Sequence, residues 1–385
     1  MRIDLLMMSR LGFADGGRET WLNTFIGELG RRNRKCEISF FSLRAEKDNV
    51  LSDNEDRYPH LLGDRIEIDC PPGRIPIPVK FWFGFVKKFL FRKTKADYLL
   101  AVGGLNEAIA VACSRLRLFY NPKRIIWLRT VYSKEKGYRL NSFTRRLVIK
   151  LEVFVIRHFF DGVIANGEDT AAFYRAYGID CTVIHNAVDL ERWKQQIPVA
   201  PTNNKVRIAF IGRLSQVKGI EAFLKSIDIA LSKTQKDQLE FHVVGDGPYR
   251  NMVQMAAENG SLYFHGAMPN QSVPEFLKKI DCCVALTYSK DLMGGGGVSN
   301  ALIEQMASEK IIVAWRNEIF CRVLSDDSCF FIDQDDVEAL AETYCQVAID
   351  REGAKVKAQQ AKAVSENYSI RTHVDKFFAF LNEIK

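Results

Sequence analysis

Short apolar runs of strand length alternate with segments of helical period along the whole chain, and this alternation restricts it to the α/β class built on parallel sheets. Residues 2–8 read as a buried strand. A helical face of Trp21, Leu22, Phe25, Ile26 and Leu29 follows, and residues 36–43 return as a strand. The same order recurs in runs 98–102, 124–128, 161–165 and 181–185, separated in part by helices over 144–160 and 168–177, the second ended by Gly178. It resumes with strands at 207–211, 239–244, 262–266, 282–287 and 311–315. A chain of 385 residues exceeds what one growing core serves, so the pattern predicts two doubly wound, Rossmann-like domains facing each other across a cleft. The first should span 1–189. Polar residues with Pro198 and Pro201 make 190–205 a linker, and 206–385 forms the second domain, its last helix a candidate for return to the first.

In such sheets the ligand-meeting loops follow the strands. Gly16-Gly17 lies there in the first domain, and Arg129 stands at the end of the run 124–128. In the second domain, residues 212–219 read Gly-Arg-Leu-Ser-Gln-Val-Lys-Gly, between a strand and the helical face of Ile220, Phe223, Leu224, Ile227 and Leu231. Arg213 and Lys218 thus sit at a sheet edge, where a planar fork and a point charge can neutralise a diphosphate. Residues 294–308 read Gly-Gly-Gly-Gly-Val-Ser-Asn-Ala-Leu-Ile-Glu-Gln-Met-Ala-Ser. Gly296, Gly297 and their neighbours let a backbone approach a ligand closely, while Ser299 or Asn300 can cap a helix that continues through Ala301. Free N–H groups at that helix end favour anions, phosphate above all. Glu304, one turn further on, is suited to accept hydrogen bonds from hydroxyls such as those of a ribose. Taken alone, the stretch also fits a glycine-rich surface loop before a buried helix.

The segment Ser-Asn-Ala-Leu-Ile-Glu-Gln-Met-Ala-Ser resembles the second half of the acidic motif of the group 1 family of retaining, nucleotide-sugar-dependent glycosyltransferases with the GT-B architecture. Residues 212–219 resemble that family's Gly-Arg-Leu-x-x-x-Lys-Gly signature, and Asn186-Ala187-Val188-Asp189 is similar to the Asn-Gly-Val-Asp element closing its first domain. The resemblance implies transfer of a sugar, with retention, from a nucleotide-diphosphate donor to a saccharide or lipid-linked acceptor, in synthesis of bacterial cell-surface polysaccharide or lipopolysaccharide. It implies Arg213 and Lys218 as catalytic groups stabilising the leaving diphosphate. Gly16, Gly17, Gly296, Gly297, Ser299, Asn300, Ala301 and Glu304 would bind the donor, and Arg129 would lie on the acceptor side. Neither cofactor nor metal is implied beyond the donor as co-substrate, and no His/Cys/Asp cluster suggests a metal. The chain departs from the family at Gly296, where the first of two Glu belongs, and at Arg129, where a histidine is common. Glu309 replaces a usual Gly and Ile311 a usual Pro, so the helix before them is expected to end differently. A nucleotide-sugar epimerase of the same architecture and a non-catalytic binding module are the other classes. The Gly245/Gly247 pair mimics half a dinucleotide fingerprint, but Arg250 stands at the third glycine position, which disfavours a nicotinamide site.

Charge is unevenly spread. Residues 1–189 hold 31 Lys and Arg against 22 Asp and Glu, an excess of +9, whereas the remainder carries −2. Residues 80–95 contain six basic residues, no acid, and interleaved aromatics. Such a stretch suits an anionic membrane interface, or a helix packed on its own domain with charges reaching outward, or single-stranded nucleic acid as the least favoured partner. No apolar run approaches the roughly 18 residues of a spanning helix, and residues 3–8 are too short for a signal sequence. The expectation is a cytoplasmic protein without nucleic-acid function, peripheral on the inner face of the plasma membrane if 80–95 meets lipid. Nine cysteines without a Cys-x-x-Cys pair read as reduced packing residues.

Overall fold

A computed structural model describes the chain apart from residues 11–16, 33–34, 45–58, 72, 118–119, 130, 132–140, 195–204, 234–237, 290–297 and 385. It divides into two compact units. One is built from Met1–Asn186 with Ile370–Lys385, the other from Ala187–Asp291 with Val298–Ser369.

The first unit carries seven parallel strands: β1 (Arg2–Arg10), β2 (Glu37–Leu43), β3 (Leu62–Ile68), β4 (Tyr98–Gly103), β5 (Lys123–Leu128), β6 (Gly162–Ala165) and β7 (Thr182–Val183). Their order is β3-β2-β1-β4-β5-β6-β7, so the winding reverses between β1 and β4, where Leu5 pairs with Phe40 on one side and Leu100 on the other. β4 is buried at every position, as a central parallel strand covered on both faces must be. On one face, helix Ile77–Leu90 contributes Phe81, Phe85 and Phe89 to a core shared with Ala108, Val111, Val155 and Ile156. On the other, helix Gly17–Arg31 meets the C-terminal helix Ile370–Glu383, with Phe377 against Phe25 at 5.4 Å and Trp127 at 5.4 Å between ring centres. His373 of that last helix accepts from Trp21 Nε1 at 2.8 Å, and its Nδ1 lies 2.8 Å from the His185 carbonyl, which assigns the proton to Nδ1. Burial, with Arg129 nearby, pushes its pKa down to about 3, so the ring is neutral.

The second unit has six parallel strands: β8 (Val206–Ile211), β9 (Leu239–Val244), β10 (Tyr263–Phe264), β11 (Cys282–Ala285), β12 (Ile311–Arg316) and β13 (Phe330–Asp333), in the order β10-β9-β8-β11-β12-β13. Here the reversal lies between β8 and β11. The GT-B expectation of two parallel-sheet α/β domains holds.

Three readings change. The sequence suggests no strand between residues 44 and 97, yet β3 pairs there with β2 as an edge strand. Half the basic residues of 80–95 are used internally: Lys80 donates to the Pro71 carbonyl, Lys88 to the Glu67 carbonyl at 2.5 Å, and Arg92 pairs with buried Asp4 and with Asp64 at 3.1 Å. Trp82 Nε1 donates to the Asn106 carbonyl at 2.9 Å. Packing therefore accounts for most of this helix. Finally, helix Asn300–Ala307 does end in left-handed geometry, with Glu309 at φ 54°. Lys310 N–H reaches the Gln305 carbonyl at 3.1 Å and Glu309 N–H the Met306 carbonyl at 3.0 Å, the Schellman pattern normally built on Gly. Burial pushes the Cys36, Cys181, Cys283 and Cys329 thiols up to about 12, in keeping with packing roles.

Candidate active site

At the C-terminal ends of β8 and β11 lies a cavity of about 120 Å³, bounded by Gly212, Lys218, Thr287, Ser299, Ala301 and Gln305 among others. One wall is the loop after β8. It closes in a 3₁₀ turn, Gln216–Lys218, and Gly219 takes φ 77°, where an added Cβ would collide with the Leu286 carbonyl. Only glycine lets this loop press against the end of β11. The turn brings Lys218 Nζ to 3.4 Å from Thr287 Oγ1, and among the described residues the ammonium has no carboxylate partner. Desolvation lowers its pKa, so a bound anion would relieve an unfavourable burial.

The opposite wall is the N-terminus of helix Asn300–Ala307. Ser299 caps it, its side chain accepting from Leu302 N–H at 3.2 Å, and no acid lies in the first turn. Asn300 Oδ1 is buried and accepts no hydrogen bond among the described residues. First-turn N–H groups have no carbonyl partner within their own helix, and Ala301 borders the cavity directly. A desolvated cation and a helix N-terminus thus converge on one small volume, which is the chemistry of an anion site.

Glu304 is buried one turn further on. Asn270 Nδ2 lies 3.4 Å from its Oε1, and Asn270 is in turn held by Arg192 through its Oδ1 at 2.8 Å and its carbonyl at 2.6 Å. Burial raises the Glu304 pKa against the opposing pull of Asn270 and Arg192. Gln305 and not Glu304 borders the cavity. Arg213 is exposed and is not among the bordering residues, so the structure brings Lys218, Ser299 and Ala301 together and leaves Arg213 outside. Gly16, Gly296 and Gly297 lie outside the described residues; Gly17 begins helix Gly17–Arg31 of the first unit. Thr287 and Gln305 were not singled out from sequence. Their signals were slight: a hydroxyl closing the apolar run 282–287, and an amide beside Glu304.

Arg129, directly after β5, is buried in the first unit. Its guanidinium lies over Trp21 at 4.3 Å and Trp127 at 5.3 Å, and donates to Asn186 Oδ1 at 2.8 Å. Among the described residues no cluster of His, Cys, Asp or Glu is arranged to hold a metal ion, and no helix is long and apolar enough to cross a membrane.

The family described as Glycosyltransferase Family 4 matches residues 16–192, and that described as Glycosyl transferases group 1 matches 205–350. An uncharacterized glycosyltransferase of Methanocaldococcus jannaschii is 22% identical over 325 residues, which is 78% of this chain and 77% of that protein. Among solved structures, sucrose-phosphate synthase from Thermosynechococcus elongatus superposes with a TM-score of 0.75 at 15% identity, covering 100% of this chain and 98% of that one. Anabaena HepE, solved in complex with UDP and glucose, superposes with a TM-score of 0.71 at 16% identity, covering 99% of each chain.

Proposed function

This chain is a glycosyltransferase of the group 1/family 4 type, and on that premise we propose that its second unit binds a nucleoside-diphosphate sugar at the cavity between Lys218 and helix Asn300–Ala307. The observation that carries the reading is the desolvated Lys218 ammonium facing the N-terminus of a helix free of first-turn acids. When the bond from the sugar's anomeric carbon to the diphosphate breaks, negative charge builds on the leaving oxygens. Groups already fixed around that charge lower the barrier without reorganising, and Lys218 with the Asn300 and Ala301 N–H groups would serve in this way. Arg213, exposed on the same loop, can close on the diphosphate from solvent. Glu304 would accept from the ribose hydroxyls. The complex of HepE with UDP and glucose supports a uridine nucleotide as the first donor to try.

We further propose transfer with retention and without a metal, to a saccharide or lipid-linked acceptor in cell-surface polysaccharide or lipopolysaccharide synthesis. Screening UDP- and GDP-sugars for nucleoside diphosphate release, with and without chelator, tests the donor assignment. Slow release from one donor, insensitive to chelator and accelerated by an acceptor, is the expected result. Turnover of the sugar without any release would identify an epimerase, and donor binding without turnover a binding module. The anomeric configuration of the first product, read by NMR coupling, tests retention.

A further inference from the structure

The helix Ser142–Phe159 buries only one side. Glu152, Val155 and Ile156 face the core of the first unit, while Phe143, Leu147, Leu151 and Phe154 stand 76%, 59%, 45% and 53% exposed. At about 3.6 residues per turn these four fall within an arc of about 80°, on the side of the helix away from the buried arc. Arg146 and Lys150 flank this stripe along one edge. Both are exposed, and neither has an ion-pair partner among the described residues. Glu152, the one acid in the helix, is wholly buried. The outward surface is therefore apolar at its centre and solely cationic in charge. Internal packing does not explain it, in contrast to helix Ile77–Leu90, whose phenylalanines and lysines are largely engaged within the unit.

We propose that this face of Ser142–Phe159 is a docking surface for an anionic phospholipid bilayer. The occupant follows from charge and shape. A stripe about 16 Å long, at about 1.5 Å per residue, with phenylalanine at both ends, is proportioned to lie in a membrane interface, not to cross it. The flanking cations select anionic headgroups. Phe83 and Lys87 are likewise exposed on helix Ile77–Leu90, within residues 80–95. The proposal is independent of the donor site, since docking requires no nucleotide.

The test is co-sedimentation of the full chain, without donor, with vesicles of phosphatidylcholine alone or mixed with phosphatidylglycerol. The wild type should pellet only with the anionic vesicles, and raised salt should release it. Arg146→Gln/Lys150→Gln should weaken partition by about 30-fold, the combined effect expected for two cations near an anionic surface. Leu147→Ser/Leu151→Ser should also weaken it, with the thermal midpoint lowered only slightly, by the loss of helix propensity at two partly exposed positions. Wild-type protein left in the supernatant at low salt would overturn the proposal, as would both double variants binding like the wild type. So would a concentration-dependent dimer, seen by sedimentation equilibrium and lost in the leucine variant, if neither vesicle type pellets the chain: the face would then cover a second copy.

Discussion

The two units share a winding scheme but treat the ends of their central strands in opposite ways. In the first, helix Leu105–Cys113 begins just past β4, and its own Glu107 occupies the N-terminal end: Oε2 accepts from Gly104 N–H at 3.1 Å and Oε1 from Met8 N–H, at the end of β1, at 3.2 Å. In the second, helix Asn300–Ala307 begins past β11 with no acid in its first turn, and Lys218 faces it across a cavity. A helix N-terminus attracts negative charge in either case. One unit supplies that charge from its own sequence; in the other, no first-turn acid among the described residues does so. Sheet topology thus nominates two sites, and the placement of a single carboxylate separates the one that is closed from the one that is open.

Removing that carboxylate should have the largest effect. Glu107→Ala leaves the Met8 and Gly104 N–H groups buried without this acceptor, at a cost of about 3 kcal/mol for two such donors. Chemical denaturation should show the loss, while UDP affinity stays unchanged. A variant as stable as the wild type would mean that the first unit's strand ends are not closed by Glu107.

Lys218→Ala attacks the open site. A preorganised donor to the departing charge is worth at least about 10²-fold in kcat. Steady-state nucleoside diphosphate release should fall by that much, with stability held or slightly raised because a desolvated ammonium is removed. An unchanged kcat with only KM raised would reduce Lys218 to a ground-state contact and return the catalytic role to Arg213.

Glu304→Gln distinguishes ligand chemistry from folding by opposite signs. The Glu304 pKa is raised in the fold, so its ionisation costs stability. That cost is absent below the ordinary value of 4.5 and grows as pH rises through the raised one. The Gln variant should therefore unfold later than the wild type at neutral pH, the difference vanishing in acid. Its affinity for UDP should fall by about 1–2 kcal/mol, the scale of a hydrogen bond to a charged group. If calorimetry finds UDP affinity equal in the two proteins, Glu304 is structural.

Much of this site was legible because the sequence concentrates its signals. Lys218 is fixed between a strand and a helix by Gly219, and Ser299 is both a capping residue and a cavity wall, so the local sequence signals fall on the cavity itself. Partners from distant segments were not legible. Asn270 reaches Glu304 across 34 positions and Thr287 reaches Lys218 across 69, and neither carries a pattern of its own. The fold shows the same division. Strands buried on both faces, such as β4 and β5, declare themselves by continuous apolar runs, whereas β3 reads Leu-Gly-Asp-Arg-Ile-Glu-Ile, an edge strand whose Asp64 and Arg65 are exposed. Within residues 80–95, composition counts Arg92 as surface, whereas Asp4 draws it inward.

The smallest expected effect lies at the far end of the helix that opens on the cavity. Glu309 holds φ 54°, a conformation that costs a non-glycine residue roughly 1 kcal/mol, and its carboxylate meets Lys362 at 2.7 Å in a pair exposed enough to contribute little. The Schellman bonds from Glu309 and Lys310 do not involve the side chain, so Glu309→Gly keeps them. Glycine's greater freedom in the unfolded chain offsets part of the gain. The net expectation is a stabilisation of about 0.5 kcal/mol, visible as a slightly raised denaturation midpoint. UDP affinity should not change, because the cavity is built from the helix N-terminus and the strain sits beyond its last turn. A midpoint lowered by the substitution would show that the Lys362 pair outweighs the strain. A changed UDP affinity would show that the position of the whole helix, and not the chemistry of its first turn, sets the open site apart from the closed one.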